Sequence, residues 1–517
     1  MIKISGRVGV VFRNSPSSPR RRPKKARENF SYISVLRRGR LVSLKVACSF
    51  VLSVMFFLFT ALCSAEVFKD ASEARLSNGL KIIMLENHKS PIISFQVRYR
   101  AGARNEKTGK TGLAHMLEHM MFKGTGKVSG EQFVKTIYEL GGEQNASTSH
   151  DFAAFFETLA SDSIGVPIDF ESDRMSNLVL RESDFRTERM VVLEERRMRV
   201  DDNPQSFLLE QLEAAAYQSQ PYHWPVIGWA EDIERLTIED VKAFYSTYYN
   251  PANAFIVVTG DFKKEALLPE MEKAFGKIPA GTSPQQYFIQ DPPQPGERRV
   301  IVERPAQVGN LVVAWHVPNL RSQDSYILEV IKAILAEGKT SRLYDHLVRG
   351  KALVLESSVD YSLATLDPSL FYIVVTFLPG KDFGEIEQAI YDELELLKKT
   401  PVSARELEKA KNQLEADFVF DQESIFSLGQ NLAEYEIALD WASIGAYVPS
   451  IRSVTPEEIQ RVASKYFTAQ SRNIGILTPT GPPVKLPSRA GPEPAGGGMK
   501  GRSIRLRASD VRNEIIP

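Results

Sequence analysis

The chain has 517 residues, an apolar share of 43%, and 64 Lys or Arg against 64 Asp or Glu. That length calls for two or more domains with sizeable cores. The charge is uneven: residues 1–65 carry thirteen basic side chains and one acid, Glu28, which leaves the remainder 51 basic and 63 acidic groups, a net of −12. An acidic body disfavours nucleic-acid binding. Both cysteines, Cys48 and Cys63, lie in the basic segment. Everything after it is excluded from disulfide, thiol-nucleophile and thiolate-metal chemistry.

In chain order, the apolar run at 46–62 follows Arg37, Arg38, Arg40 and Lys45 and ends in Cys63-Ser64-Ala65. A basic region, an apolar core and small residues are the parts of a secretory signal, here cleaved before Glu66. Export to a bacterial periplasm follows. The alternative is an uncleaved inner-membrane anchor through residues 46–62, which approach the length of a span.

Leu80-Lys81-Ile82-Ile83-Met84 and Ile92-Ile93-Ser94-Phe95-Gln96-Val97 read as strands. Gly112-Leu113-Ala114-His115-Met116-Leu117-Glu118-His119 follows. On a helix, His115 and His119 stack one turn apart, the separation two imidazoles need to grip one metal ion. Glu118 sits on the flank of that face, within reach of a metal-activated water. The pattern H-x-x-E-H inverts the common H-E-x-x-H motif and points to a zinc peptidase. A helix over 133–140, a Gly141-Gly142 turn and one strand from about 145 to 156 are expected next. Helices should dominate from 182 to 216. A catalytic zinc takes three protein ligands. The acidic helix that follows offers Glu188, Glu194 and Glu195 as the third. Glu188 and Glu195 are two turns apart and share a face. Spacing alone does not choose among the three. His150 reads as a strand residue with no metal role, and His88 and His223 as surface or structural.

Two distant stretches match. Leu236-Thr237-Ile238-Glu239-Asp240-Val241 leads to Tyr248-Tyr249 and the strand Phe255-Ile256-Val257-Val258. Val454-Thr455-Pro456-Glu457-Glu458-Ile459 leads to Tyr466-Phe467 and Ile474-Gly475-Ile476-Leu477. In each, a Thr precedes an acid by three, as in a capping box. The long offset indicates a duplicated domain. The expected organisation is a leader at 1–65, a zinc-binding domain at 66–285, a Pro-rich linker at 286–299, a homologous domain without metal at 300–484, and a disordered tail at 485–517. In the second half a strand at 311–317 and a helix at 326–335 fall where the first half carries the motif, without histidine.

The chain resembles the pitrilysin, insulysin and mitochondrial processing peptidase family of inverted-motif zinc peptidases over most of residues 76–480. The resemblance rests on Asn78-Gly79-Leu80, the Gly112–Met120 run, Phe122-Lys123-Gly124-Thr125, Gly141-Gly142, Asn145-Ala146 and the Glu188/Glu195 pair. It implies an α+β fold of two homologous domains, each a mainly antiparallel β-sheet with helices packed on it. It selects Glu195 as third ligand of one Zn2+, with His115 and His119. It makes Glu188 the acid that orients the ligands and Glu118 the base that takes a proton from water. It also places Asn145 and Ala146 beside a peptide added to the edge strand.

In many relatives the second half supplies an Arg and a Tyr seven residues apart that support the oxyanion. Here Val348 and Leu355 occupy those places, and neither can do so. The resemblance therefore implies a zinc-bearing chain completed by a homologous partner with the Arg/Tyr pair, or a homodimer. The function expected is a zinc endopeptidase acting on peptides or unfolded segments. The alternative is a peptide-binding or assembly subunit with little activity alone.

Overall fold

The computed structural model describes residues 67–480. The leader at 1–65, with its apolar run, both cysteines and the boundary at Glu66, lies outside the described residues, as does the tail from 485.

Two sheets organise the chain. The first contains β1 (Ser72–Arg75), β2 (Lys81–Glu86), β3 (Ile92–Tyr99), β4 (Glu143–Thr148), β5 (Ala153–Ala160) and β6 (Ala254–Gly260), in the order β1-β2-β6-β3-β5-β4. The second contains β7 (Arg298–Arg304), β8 (Gly309–Val317), β9 (Glu356–Asp360), β10 (Ser369–Phe377) and β11 (Arg472–Pro479), in the order β7-β11-β8-β10-β9. Apart from β1, the two orders correspond strand for strand. The pairs β2–β6 and β7–β11 are parallel and all other neighbours antiparallel. This is the α+β fold of two mainly antiparallel units.

The helices of the first half are α1 (Leu113–Met121), α2 (Gly130–Glu139), α3 (Gly165–Asn177), α4 (Glu182–Arg196), α5 (Pro204–Ala216), α6 (Ala230–Arg235), α7 (Ile238–Tyr248) and α8 (Lys264–Phe275). Those of the second are α9 (Asp324–Ala336), α10 (Phe383–Lys399), α11 (Ala404–Asp421), α12 (Ile425–Ala438), α13 (Tyr447–Ser453) and α14 (Pro456–Tyr466). Both expected capping boxes form. The Thr237 hydroxyl accepts the Asp240 N–H at 3.2 Å, and the Asp240 carboxylate accepts the Thr237 N–H at 2.9 Å. Thr455 and Glu458 repeat the arrangement at 3.2 and 2.9 Å. Each box satisfies helix N–H groups that have no intrahelical acceptor. Each starts the helix, α7 or α14, that leads to a sheet's inner strand. Helix α9 follows β8 as α1 follows β3, and it buries Tyr326, Leu328, Val330 and Ile331 without a histidine.

One feature of packing joins the halves. Along β3 the residues alternate: Ile93, Phe95, Val97 and Tyr99 enter the core shared with α1, while Ser94, Gln96 and Arg98 are buried on the opposite face. That face is covered by α12 from the second half. The Gln96 amide donates to Phe426 C=O at 3.1 Å, and Thr259 Oγ1 to Ile425 C=O at 2.7 Å. Reciprocally, α5 lies on the second sheet, where Leu208, Leu212 and Ala216 pack with Val312, Ala314, Leu370 and Leu477. Each half thus lends a helix to the other's sheet. The segment between α8 and β7 has neither helix nor strand. It is pinned where the Asp291 carboxylate accepts the N–H groups of Gln218, Ser219 and Gln220 at 2.7–2.9 Å.

The strand expected over 145–156 is a hairpin. The Ser149 hydroxyl accepts the N–H groups of Asp151 and Phe152 at 3.1 Å, turning the chain between β4 and β5. His150 is therefore a turn residue, buried, with Nε2 at 3.1 Å from Trp224 C=O.

Candidate metal centre

Helix α1 is placed by its N-terminus. Gly112, at φ 82°, precedes it, and the Glu106 carboxylate accepts the N–H groups of Gly112 and Ala114 at 2.9 and 2.7 Å. A Cβ on Gly228 (φ 87°) would lie 2.5 Å from the Gly112 backbone, so the 225–229 loop closes on the helix only through glycine. All nine residues of α1 are buried, including His115, Glu118 and His119. A buried imidazole or carboxylate is costly without a partner. What these side chains meet therefore identifies what the site can do.

They meet α4. Glu188 and Glu195 are buried on one face of that helix. Glu194 is half exposed and paired with Arg197 Nε at 2.9 Å. His115, His119 and Glu195 each offer one ligand atom, and these atoms lie within 4.8 Å of one another. Glu195 Oε2 is 3.3 Å from His119 Nε2 and 3.7 Å from His115 Nε2. Tetrahedral zinc, with bonds near 2.0–2.1 Å, sets its ligand atoms about 3.3 Å apart. Two imidazole nitrogens and one carboxylate oxygen are also the donor set of a catalytic zinc with an open fourth position. The residues fit the ion. His119 Nδ1 lies 3.2 Å from Glu188 Oε2, and Lys123 Nζ holds Glu188 Oε1 at 2.5 Å. With Nδ1–H donated to Glu188, Nε2 keeps its lone pair for a cation.

The electrostatics favour a cation here. Burial, then the charge of His119, pushes His115 down to about 3, so its imidazole is neutral. Burial opposes charge on His119 too, yet Glu188 and Glu195 outweigh it and hold it up at about 9. Burial likewise works against Glu195, but His119, His115 and Arg199 bring it down to about 2. A carboxylate with so strong a preference for ionisation beside a protonated imidazole is a site where a divalent cation can replace the proton.

Glu118 stands apart from this set. Burial pushes it up to about 7, against the Thr148 hydroxyl and the charge of His119, which lower it. The hydroxyl donates to Glu118 Oε2 from β4. β4 is the terminal strand of its sheet, so among the described residues its outer edge pairs with no strand. Asn145 is half-buried there, its Oδ1 accepting the Ala146 N–H at 2.8 Å, while the Ala146 side chain faces the core shared with α1. Val348 is half-buried against the second core and Leu355 is exposed. Arg349, beside them, is paired with Asp345. His88 is exposed between Glu86 and Asp261, and His223 Nδ1 donates to Gln220 C=O at 2.9 Å.

Sequence reasoning missed Thr148, Lys123 and Arg199. Thr148 and Lys123 are thirty and sixty-five residues from the carboxylates they bind, and no local pattern links them. Arg199 is four residues after Glu195, an i,i+4 pair that helical spacing could have flagged.

The chain is similar to known proteins. The profile described as "Insulinase (Peptidase family M16)" matches residues 81–228, and that described as "Peptidase M16 inactive domain" matches 235–414. A zinc protease PqqE of Helicobacter pylori is 32% identical over 410 residues, covering 78% of this chain and 92% of the relative. A probable mitochondrial-processing peptidase subunit beta of Arabidopsis thaliana is 24% identical over 417 residues, 78% of this chain and 77% of the relative. The crystal structure of a protease from Helicobacter pylori superposes with a TM-score of 0.75 at 30% identity, covering 79% of this chain and 99% of that one. The chain belongs to the insulinase family of peptidases, M16.

Proposed function

We propose that this chain is a zinc endopeptidase that cleaves peptides or unfolded protein segments. His115, His119 and Glu195 would hold one zinc ion, with Glu188 orienting His119. When bound, zinc supplies the Lewis acidity that activates water and polarises the scissile carbonyl. Glu118 takes the proton from the attacking water as the C–O bond forms and gives it to the amine nitrogen as the C–N bond breaks. Burial, which works against its ionised form, suits this carboxyl to both transfers. Thr148 aims its carboxylate. The edge strand β4, with Asn145 and Ala146, would pair an extended peptide through its backbone.

The observation that carries this reading is Glu118 itself: a buried carboxylate beside the three-ligand cluster but outside it. A peptide-binding subunit with structural zinc would have no use for such a base. The test separates base from ligand. Glu118→Gln should keep zinc and lose hydrolysis of a quenched peptide, whereas Glu195→Gln should lose zinc. Loss of zinc from the Glu118 variant, with Glu195 dispensable, would overturn the assignments.

In the same reading the chain is the zinc-bearing member of a pair. Val348 and Leu355 supply no polar group, so a homologous partner would bring the Arg and Tyr. Export follows from the basic-apolar-small order of residues 1–65, which supports a periplasmic location after cleavage before Glu66.

A further inference from the structure

Helix α4 does not end cleanly after Glu195. At Arg197–Asp201 it widens into a π-helical turn, with the Asp202 N–H donating to Arg197 C=O at 2.7 Å. Such turns are rare and concentrate at functional sites. Three arginines leave this region in different directions. Arg196 is buried, held by the Glu210 carboxylate at 2.8 and 3.0 Å and by Gly228 C=O at 2.6 Å. Arg197 stays on the surface with Glu194 and Asp202. Arg199 turns back to the metal centre, its guanidinium NH1 forming an ion pair with Glu195 Oε1 at 3.0 Å. The two Glu195 oxygens are thus divided: Oε1 faces the guanidinium, and Oε2 faces the imidazole nitrogens. Arg199 is 35% exposed where Glu195 is 10% exposed, so the guanidinium lies on the solvent side of the carboxylate.

We propose that Arg199 is a positioning residue that holds Glu195 as a one-oxygen ligand and so keeps a coordination position open. The inference rests on the zinc reading above. A carboxylate can bind a cation through one oxygen or both. A second oxygen on zinc would be a fifth donor, crowding the place that water needs. The guanidinium opposes this because turning Oε1 toward the metal would break the 3.0 Å ion pair of a carboxylate that is only 10% exposed. Arg196 cannot substitute, being committed to Glu210, nor can Arg197, which points to solvent.

The test uses cobalt(II) in place of zinc, because its visible absorption is stronger for four ligands than for five and needs no turnover. Arg199→Met and Arg199→Lys are compared with the full chain, each first checked for an unchanged melting temperature. The Met variant should show weaker cobalt absorption, and its kcat should fall about 10–100-fold with KM within a factor of two. The Lys variant, which keeps a point charge at the rim, should recover most of both. A cobalt spectrum identical in wild type and Met variant overturns the clamp, whatever the rates do. If the Met variant fails to fold, the Lys variant decides against Arg199→Gln by the same spectrum. If wild type gives the four-ligand spectrum but cleaves no peptide, the peptidase reading falls and the spectra still judge the clamp. If wild type binds no cobalt or zinc, both fall together.

Discussion

Replacing Thr148 by Val removes one hydroxyl and keeps nearly the same shape and the same suitability for a strand. Its consequence should be confined to Glu118, whose Oε2 accepts that hydroxyl. Glu118 is 2% exposed, and the Val methyl fills the place of the lost hydroxyl, so no other donor enters there. A hydrogen bond to an ionised group is worth about 1.5–3 kcal/mol. One pKa unit corresponds to about 1.36 kcal/mol, so Glu118 should rise by about one to two units relative to wild type. The sign follows from its role. A base with a raised pKa is protonated over a wider range, so the acid limb of kcat/KM moves to higher pH. Below both values the variant should be about 10–100-fold slower, and well above both the two profiles should converge. The assay is cleavage of a quenched peptide by the zinc-loaded protein across the pH range, with Thr148→Ser expected to restore the profile. An acid limb that stays in place refutes the reasoning. A uniform loss at every pH does so too, because it would mean displacement of Glu118 and not a change in its protonation.

Glu157 on β5 is buried, with Oε2 lacking a hydrogen-bond partner. Burial, then the neighbouring Glu171, pushes its carboxyl well above 4.5. The folded chain therefore holds a proton that the unfolded chain releases, and stability falls as pH rises from about 4.5 through the raised value. Glu157→Gln removes that slope, so its melting temperature should gain on wild type as pH rises, and parallel melting curves would contradict this. For the split site, adding a homologous chain with an Arg and Tyr seven residues apart should raise turnover by about 10²–10³. Full activity of this chain alone, unchanged on mixing, would refute it.

What could be read from the sequence was local in its physics. The capping boxes at Thr237 and Thr455 need only residues three apart, and both form. The facing of His115 and His119 follows from helical period, and the repeat foretold two sheets whose strand orders correspond. The break at Ser149 was missed, because one side chain turning back on its own backbone interrupts an otherwise continuous strand pattern. Tertiary packing decided the rest. Period alone leaves Glu188, Glu194 and Glu195 open, and the resemblance named Glu195. In the fold, the face of α4 that meets α1 is buried with Glu188 and Glu195, while Glu194 goes to solvent. The donor from Thr148 to Glu118, the Lys123–Glu188 pair and the exchange of α5 and α12 between sheets join residues far apart in the chain. Such contacts leave no periodic trace, because they are set by which surfaces remain to be buried once the local elements have formed.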